Sequence, residues 1–217
     1  GDSYVICSES VAIDALNGKL ERDVRPGELI HVSADGVRSK QVAEAKHRGH
    51  CVFEYIYFAR ADSRLDGTVV YDVRRKIGAK ICAELPTEAD IGCPVPDSGT
   101  AYAVGFSERS GIPFRECLIK NRYMGRTFIM PTQEKREKAV RIKLNPIPDH
   151  LRGRSIVLVD DSIVRGTTSR RIFGTVREAG AREVHFRIGS PIIKAPCYLG
   201  VDMPTRSELI GSDKEEE

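Results

Sequence analysis

No stretch of the 217 residues approaches the 18 or more consecutive apolar positions that a membrane-crossing helix requires. The opening G-D-S-Y-V lacks the basic start and apolar centre of a secretory leader, so the expected setting is the cytoplasm. Strong charge is missing too. With 34 Lys and Arg against 31 Asp and Glu, a net charge of +3 is too mild to argue for nucleic acid, though it suits small anionic substrates. The six cysteines, at 7, 51, 82, 93, 117 and 197, form no C-x-x-C pair and no dense framework, so they are expected as reduced thiols. No G-x-x-x-x-G-K followed by Ser or Thr occurs, which excludes a P-loop. The length fits one domain of ordinary size plus an appendage.

What is present centres on Ser155 to Ser169, S-I-V-L-V-D-D-S-I-V-R-G-T-T-S. Ile156 to Val159 are a continuous branched apolar run, the mark of a strand buried on both faces of a parallel sheet. Asp160 and Asp161 end it, at the strand end where ligands of open α/β sheets bind. Ser162 to Arg165 make a loop, and Gly166 turns the chain into Thr167, Thr168 and Ser169, whose hydroxyls suit a helix start. Free N–H groups there attract a dianionic phosphate. The acids lie too far back in the chain to grip that phosphate, so they suit a neighbouring polyol or a metal. A phosphorylated ribose offers both features. A hydrophobic run ending in two acids also occurs in ATPases and response regulators; Arg165, Gly166, Thr167 and Thr168 in register favour the ribosyl reading.

This constellation resembles the signature with which type I phosphoribosyltransferases bind PRPP (5-phosphoribosyl 1-pyrophosphate). The resemblance implies an α/β fold with a central, mostly parallel sheet. It also implies substrate contacts from Asp160, Asp161, Ser162, Val164, Arg165, Gly166, Thr167, Thr168 and Ser169. Further upstream, Asp90 to Thr100 reads as a short strand, a proline-bracketed loop and a helix through Tyr102, Val104 and Phe106. In the resembling enzymes this loop receives pyrophosphate, often through an unusual peptide geometry. By that likeness Asp97 and Ser98 bind substrate, and Ser98 joins Asp160 and Asp161 in holding magnesium; the local alternative is that Asp97 or Ser98 is simply a helix cap.

Three further segments narrow the resemblance to the glutamine PRPP amidotransferases. Cys51 to Ser63 contains F-E-Y-I-Y-F-A-R-A-D-S, with Ala61 where the family usually has proline. On its own, its aromatic run, Phe53, Tyr55, Tyr57 and Phe58, reads as a core strand. Lys120 to Lys143 carries eight Lys or Arg against two Glu and is broken by Gly125 and Pro131. A charge run is normally a solvated face, but K-N-R-Y-M-G-R-T-F-I resembles the family's catalytic flap, which implies catalytic roles for Lys120, Arg122, Tyr123 and Arg126. P-C-Y-L-G-V-D-M-P-T, from Pro196, also matches.

The helix expected over Val70–Leu85 has Val73, Ile77 and Ile81 inward and Arg74, Arg75, Lys76 and Lys80 mostly outward. A second helix, over Ser169–Ala179 with Gly180 as its stop, leads to a strand over Glu183–Gly189. In the first 50 residues, Tyr4 to Cys7 and Leu29 to Val32 read as strands, with Cys7 in the core, and Val11 to Leu16 as a short helix. These elements are too few for a core of their own. By resemblance, residues 1–48 are a remnant of an Ntn-hydrolase glutaminase domain with its linker, 49–212 the phosphoribosyltransferase domain and 213–217 an acidic tail. The family's glutaminase nucleophile is an N-terminal cysteine and residue 1 is glycine, so glutamine hydrolysis is not expected.

The implied activity is that of a pentosyltransferase, an amidophosphoribosyltransferase. It forms 5-phosphoribosylamine from PRPP and ammonia, the first step of purine synthesis, with magnesium, purine nucleotides as inhibitors and a homo-oligomeric state. A non-catalytic PRPP-binding regulator is the alternative. Such regulators attach a helix-turn-helix module, which residues 1–50 lack, and a salvage transferase is disfavoured by the flap and aromatic segments. Cys51 and Cys197 fall where part of the family places two of four iron-sulfur ligands. Two thiolates do not hold a cubane cluster, so none is expected in this chain. The expectation is that the two sulfurs lie close together; the alternative is two small buried hydrophobes.

Overall fold

In the computed structural model, residues 3–47, 49–121, 144–199 and 205–212 are described. They fall into two units, Gly1–Val73 and Arg74–Glu217. The first holds a short helix α1 (Ser10–Ala15), a hairpin of β1 (Glu28–Ser33) and β2 (Gly36–Gln41), a π-helical turn over Glu54–Phe58, and the two-residue strands β3 (Arg64–Leu65) and β4 (Thr68–Val69). Its start is tied down by polar contacts. The Glu9 carboxylate accepts the Ser63 hydroxyl at 2.6 Å and the Arg60 N–H at 2.8 Å, and the Ser10 hydroxyl accepts the Arg64 N–H at 2.8 Å.

Two expectations for this unit are corrected. Tyr4 to Cys7 form no strand and are exposed, and Cys7 is not in the core. The aromatic run is a π-turn rather than a core strand: Ile56 alone is buried among Glu54–Phe58, while Tyr57 and Phe58 are exposed. The run has no polar–apolar alternation to fix a strand face, and in the turn the Tyr57 and Phe58 rings meet at a tilt of 58° with centroids 5.8 Å apart.

The second unit is three layers around a parallel sheet. Helix α2 (Val70–Glu84) crosses the unit boundary, followed by β5 (Ile91–Pro94), α3 (Thr100–Ser110), β6 (Leu118–Lys120), β7 (Leu144–Pro146), α4 (Pro148–Leu151), β8 (Ser155–Asp160), α5 (Thr167–Glu178), β9 (Glu183–Ile188) and a 3₁₀ turn over Arg206–Glu208. The sheet order is β5-β8-β9, all parallel. All six residues of β8 are buried. Alternation sends Ile156 and Leu158 towards Ile172 and Val176 of α5, and Val157 and Val159 towards Tyr102, Ala103 and Phe106 of α3 and Ile81 of α2. A strand sandwiched in this way has no polar face, which is why its sequence is unbroken by polar residues from Ile156 until Asp160. Residues 113–115 run beside β5, with Gly92 N–H on Pro113 C=O and Arg115 N–H on Gly92 C=O, both 2.9 Å. Strands β6 and β7 pair antiparallel on either side of residues 121–143.

The thiol expectation is corrected here. Cys93 and Cys117, both completely buried, form a disulfide with Cα atoms 5.8 Å apart. The partners are 24 residues apart in sequence and meet because the 113–115 segment lies along β5, a proximity that spacing does not reveal. Arg74 is corrected as well. It is 4 % exposed rather than outward, because it lies on the same stripe as Gly78, Ile81 and Cys82.

Helices α2 and α3 approach so closely that a Cβ on Gly105 would lie 1.8 Å from the Arg75 carbonyl oxygen. Gly105→Ala forces the helices apart and is expected to cost about 3 kcal/mol, roughly 6–12 °C in Tm. Thermal unfolding of the variant checks this, and an unchanged Tm would contradict the packing.

Candidate functional site

Strand β8 ends in two buried carboxylates, Asp160 at 8 % and Asp161 at 5 % exposure. The segment just after β9 holds their backbone: Gly189 N–H donates to Asp160 C=O at 2.9 Å and Ser190 N–H to Asp161 C=O at 2.7 Å. Asp160 Oδ1 accepts the Asp161 N–H at 2.9 Å, and Asp161 Oδ1 accepts the Ser162 hydroxyl. Burial, with the Asp161 charge beside it, pushes the Asp160 carboxyl up to about 7. Beneath the pair lies Tyr102, fully buried and hydrogen-bonded to Arg74. Burial raises the Tyr102 phenol well above its ordinary range. Sequence reasoning missed Tyr102 and Arg74 as part of this site. For Arg74 the signal was available, since it stands three residues before Ile77 and seven before Ile81, on the inward stripe of α2.

After Ser162, the loop reaches Gly166 at φ +73°, the left-handed region that favours glycine, and Gly166 is the N-cap of α5. No side chain caps this helix, which corrects the expectation that Thr167, Thr168 or Ser169 would. The first N–H groups of a twelve-residue helix are therefore left facing the loop beside the acids, the arrangement that receives a phosphate. Val164 and Arg165 complete the loop, with Val164 C=O accepting the Ile210 N–H at 3.0 Å and Arg165 Nε donating to Glu208 at 2.5 Å.

The other predicted loop meets β8 from the adjacent strand. Val95 N–H donates to Val159 C=O at 2.8 Å, which places residues 95–99 next to the acid pair. The peptide between Pro96 and Asp97 is cis, the unusual geometry that the resemblance implied for this loop. Gly99, not Asp97 or Ser98, is the N-cap of α3, and no side chain caps it; this excludes the capping alternative and leaves Asp97 exposed and Ser98 half-buried. The Asp97 carboxylate accepts the Lys120 ammonium at 2.7 Å, so two predicted site residues meet. Arg122, Tyr123 and Arg126 lie outside the described residues. A mixed-charge cleft of about 630 Å³ lined by Asp90, Arg182 and Arg187 opens where Ser155 and Glu183 begin their strands, at the end opposite the acids.

Among the described residues, no group of three or more His, Cys, Asp or Glu is placed to share a metal ion. The acid pair nevertheless fits magnesium, which binds through one or two carboxylates and takes its other oxygens from substrate and water. Cys51 is exposed in the first unit and Cys197 half-buried in the second, so the reading of both as buried hydrophobes is corrected: neither is buried. Two thiols alone do not furnish a cluster. No helix of the described residues is long and apolar enough to cross a membrane.

No family model matches the chain. It is 55 % identical over 211 residues to the amidophosphoribosyltransferase of Archaeoglobus fulgidus, across 97 % of this chain and 46 % of that protein. Against the amidophosphoribosyltransferase of Methanothermobacter thermautotrophicus it is 54 % identical over 216 residues, 99 % of this chain and 45 % of the other. The glutamine PRPP amidotransferase of B. subtilis, solved with ADP and GMP, superposes with a TM-score of 0.87 at 46 % identity, over 95 % of this chain and 46 % of that one. This chain is homologous to part of the amidophosphoribosyltransferases. It spans a little under half the length of these relatives.

The raised Asp160 gives a pH dependence with a definite sign. The unfolded chain releases this proton near pH 4 and the folded chain holds it to about 7, so stability falls as pH rises through that window. The loss amounts to at most about 4 kcal/mol. The Tm difference between Asp160→Asn and the parent chain, without ligand, is expected to widen from pH 5 to pH 8. A constant difference would place the Asp160 proton elsewhere.

Proposed function

We propose that this chain carries the phosphoribosyl-transfer centre of an amidophosphoribosyltransferase. The observation that carries the reading is the buried acid pair of β8 set directly before an uncapped helix N-terminus. The first N–H groups of α5, with the hydroxyls of Ser162, Thr167, Thr168 and Ser169, hold the 5-phosphate of PRPP. Asp160 and Asp161 hold the ribose hydroxyls and favour positive charge building on the ring as pyrophosphate departs. The cis Pro96–Asp97 loop receives pyrophosphate. There the exposed Lys120–Asp97 pair, worth no more than about 1 kcal/mol, exchanges for a Lys120–pyrophosphate contact at little cost. Asp160, Asp161 and Ser98 would hold magnesium, which would supply charge neutralisation for the leaving group. At carbon 1 the bond to pyrophosphate breaks and the bond to ammonia nitrogen forms, the displaced electron pair leaving with pyrophosphate. Ammonia arrives with its lone pair free, so its attack needs no general base, and the ammonium nitrogen so formed gives its extra proton to water. Arg122, Tyr123 and Arg126 are assigned to the flap that excludes water, residues 1–48 to a glutaminase remnant, and residues 49–212 to the transferase. Purine nucleotides are the proposed inhibitors, and a homo-oligomer the proposed state.

The 217-residue chain is expected to release pyrophosphate from PRPP with magnesium and ammonium salts, and not with glutamine. Equal rates with both donors would refute the division. Binding of PRPP without turnover in either case would instead favour a non-catalytic PRPP-binding protein.

At pH 8, where both acids are ionised, replacing both Asp160 and Asp161 by Asn is expected to lower turnover at least 100-fold while leaving Tm unchanged or higher, since the two buried charges then repel each other without a ligand. A large fall in Tm with turnover retained would make the acids structural.

A further inference from the structure

The segment Thr205 to Ser212 lies against the loop that precedes α5. Three independent contacts join them. Arg165 Nε donates to the Glu208 carboxylate at 2.5 Å, the Ile210 N–H donates to Val164 C=O at 3.0 Å, and Gly166 faces the Ile210 side chain so closely that a Cβ there would lie 2.8 Å from its Cδ1. The segment is itself anchored. Leu209 is 3 % exposed, and Gly211 abuts Ile192 and the backbone of Ile193. Glu208 is held from its own side too, its second oxygen accepting the Thr205 hydroxyl at 3.1 Å. Arg165 beside it, and then the Thr205 hydroxyl, keep the Glu208 carboxyl below its usual range, so it is ionised at neutral pH.

We infer that Glu208 is a positioning residue which, through Arg165 and together with the Ile210–Val164 bond, holds the 162–166 loop in the form that leaves the N-terminus of α5 open to phosphate. The inference rests on the proposed binding of PRPP at that loop. An ion pair whose side chains are 39 % and 40 % exposed adds little to global stability. Its effect is local, in fixing Arg165 at a loop that no side chain of α5 caps. Glu208 lies 43 residues beyond Arg165 and belongs to no phosphate motif, so nothing in the local sequence marks it.

The test compares the parent chain with Glu208→Gln, Glu208→Asp, Arg165→Gln and the double variant Glu208→Gln/Arg165→Gln. In the ligand-free proteins, hydrogen exchange of the amides of residues 162–167 is expected to quicken at least fivefold in Glu208→Gln and to return towards the parent rate in Glu208→Asp, with Tm unchanged within about 2 °C. Unchanged exchange would overturn the inference whether or not PRPP binds. With magnesium and PRPP, Glu208→Gln is expected to raise KM about tenfold with kcat within twofold. Because Glu208 acts through Arg165, it is expected to add nothing in the Arg165→Gln background. Additive effects, or a fall in kcat alone, would overturn the inference. A parent chain that binds no PRPP while exchange still responds to Glu208→Gln would refute the proposed function and leave the loop-holding contact standing.

Discussion

Everything at the site depends on two carboxylates fixed at the end of a strand with no polar face. Because β8 is covered by α5 on one side and by α2 and α3 on the other, its last residues enter the loop from inside the protein. Asp160 and Asp161 have little water around them and each other as neighbours. That geometry is costly for an isolated protein and useful to one that binds a cation or a developing positive charge, since the ligand relieves a repulsion already present. Backbone bonds from Gly189 and Ser190, just beyond β9, fix the main chain that carries the pair.

Around that point, two loops with different tasks are brought together by strand adjacency alone. The loop after β5 meets the end of β8 through the Val95–Val159 bond, and the loop after β8 runs into α5 through Gly166. Both following helices start without a side-chain cap, at Gly99 and at Gly166. Under the proposed function, the two uncapped helix starts take the anions and the acid pair takes the cation. That division matches the charge pattern of a phosphorylated sugar pyrophosphate with its metal.

Much of this was legible in the sequence because it is local. The unbroken run Ile156 to Val159 exposed a strand buried twice, and the switch to glycine and hydroxyl residues marked the turn into α5. What was not legible is long-range. The Cys93–Cys117 bond depends on a segment lying beside β5, and the Arg165–Glu208 pair joins residues 43 apart. The aromatic run of the first unit misled because aromatic residues favour strands, and the π-turn they form instead leaves Ile56 alone buried. Arg74 was misread for a different reason. Its charge outweighed its position on the inward stripe, although a buried arginine is tolerable when, as here, a Tyr102 hydroxyl receives it.

In the free protein Asp160 holds its proton up to about pH 7, and a cation bound at the acid pair drives that proton into solvent. Calorimetry of magnesium–PRPP binding at pH 6.5, in buffers of differing ionisation enthalpy, measures the protons released. Subtracting the release by Asp160→Asn removes the contribution of the ligand's own phosphates. An excess release of roughly half a proton or more is expected in the parent chain, vanishing by pH 9. Equal release by parent and variant at pH 6.5 would contradict it.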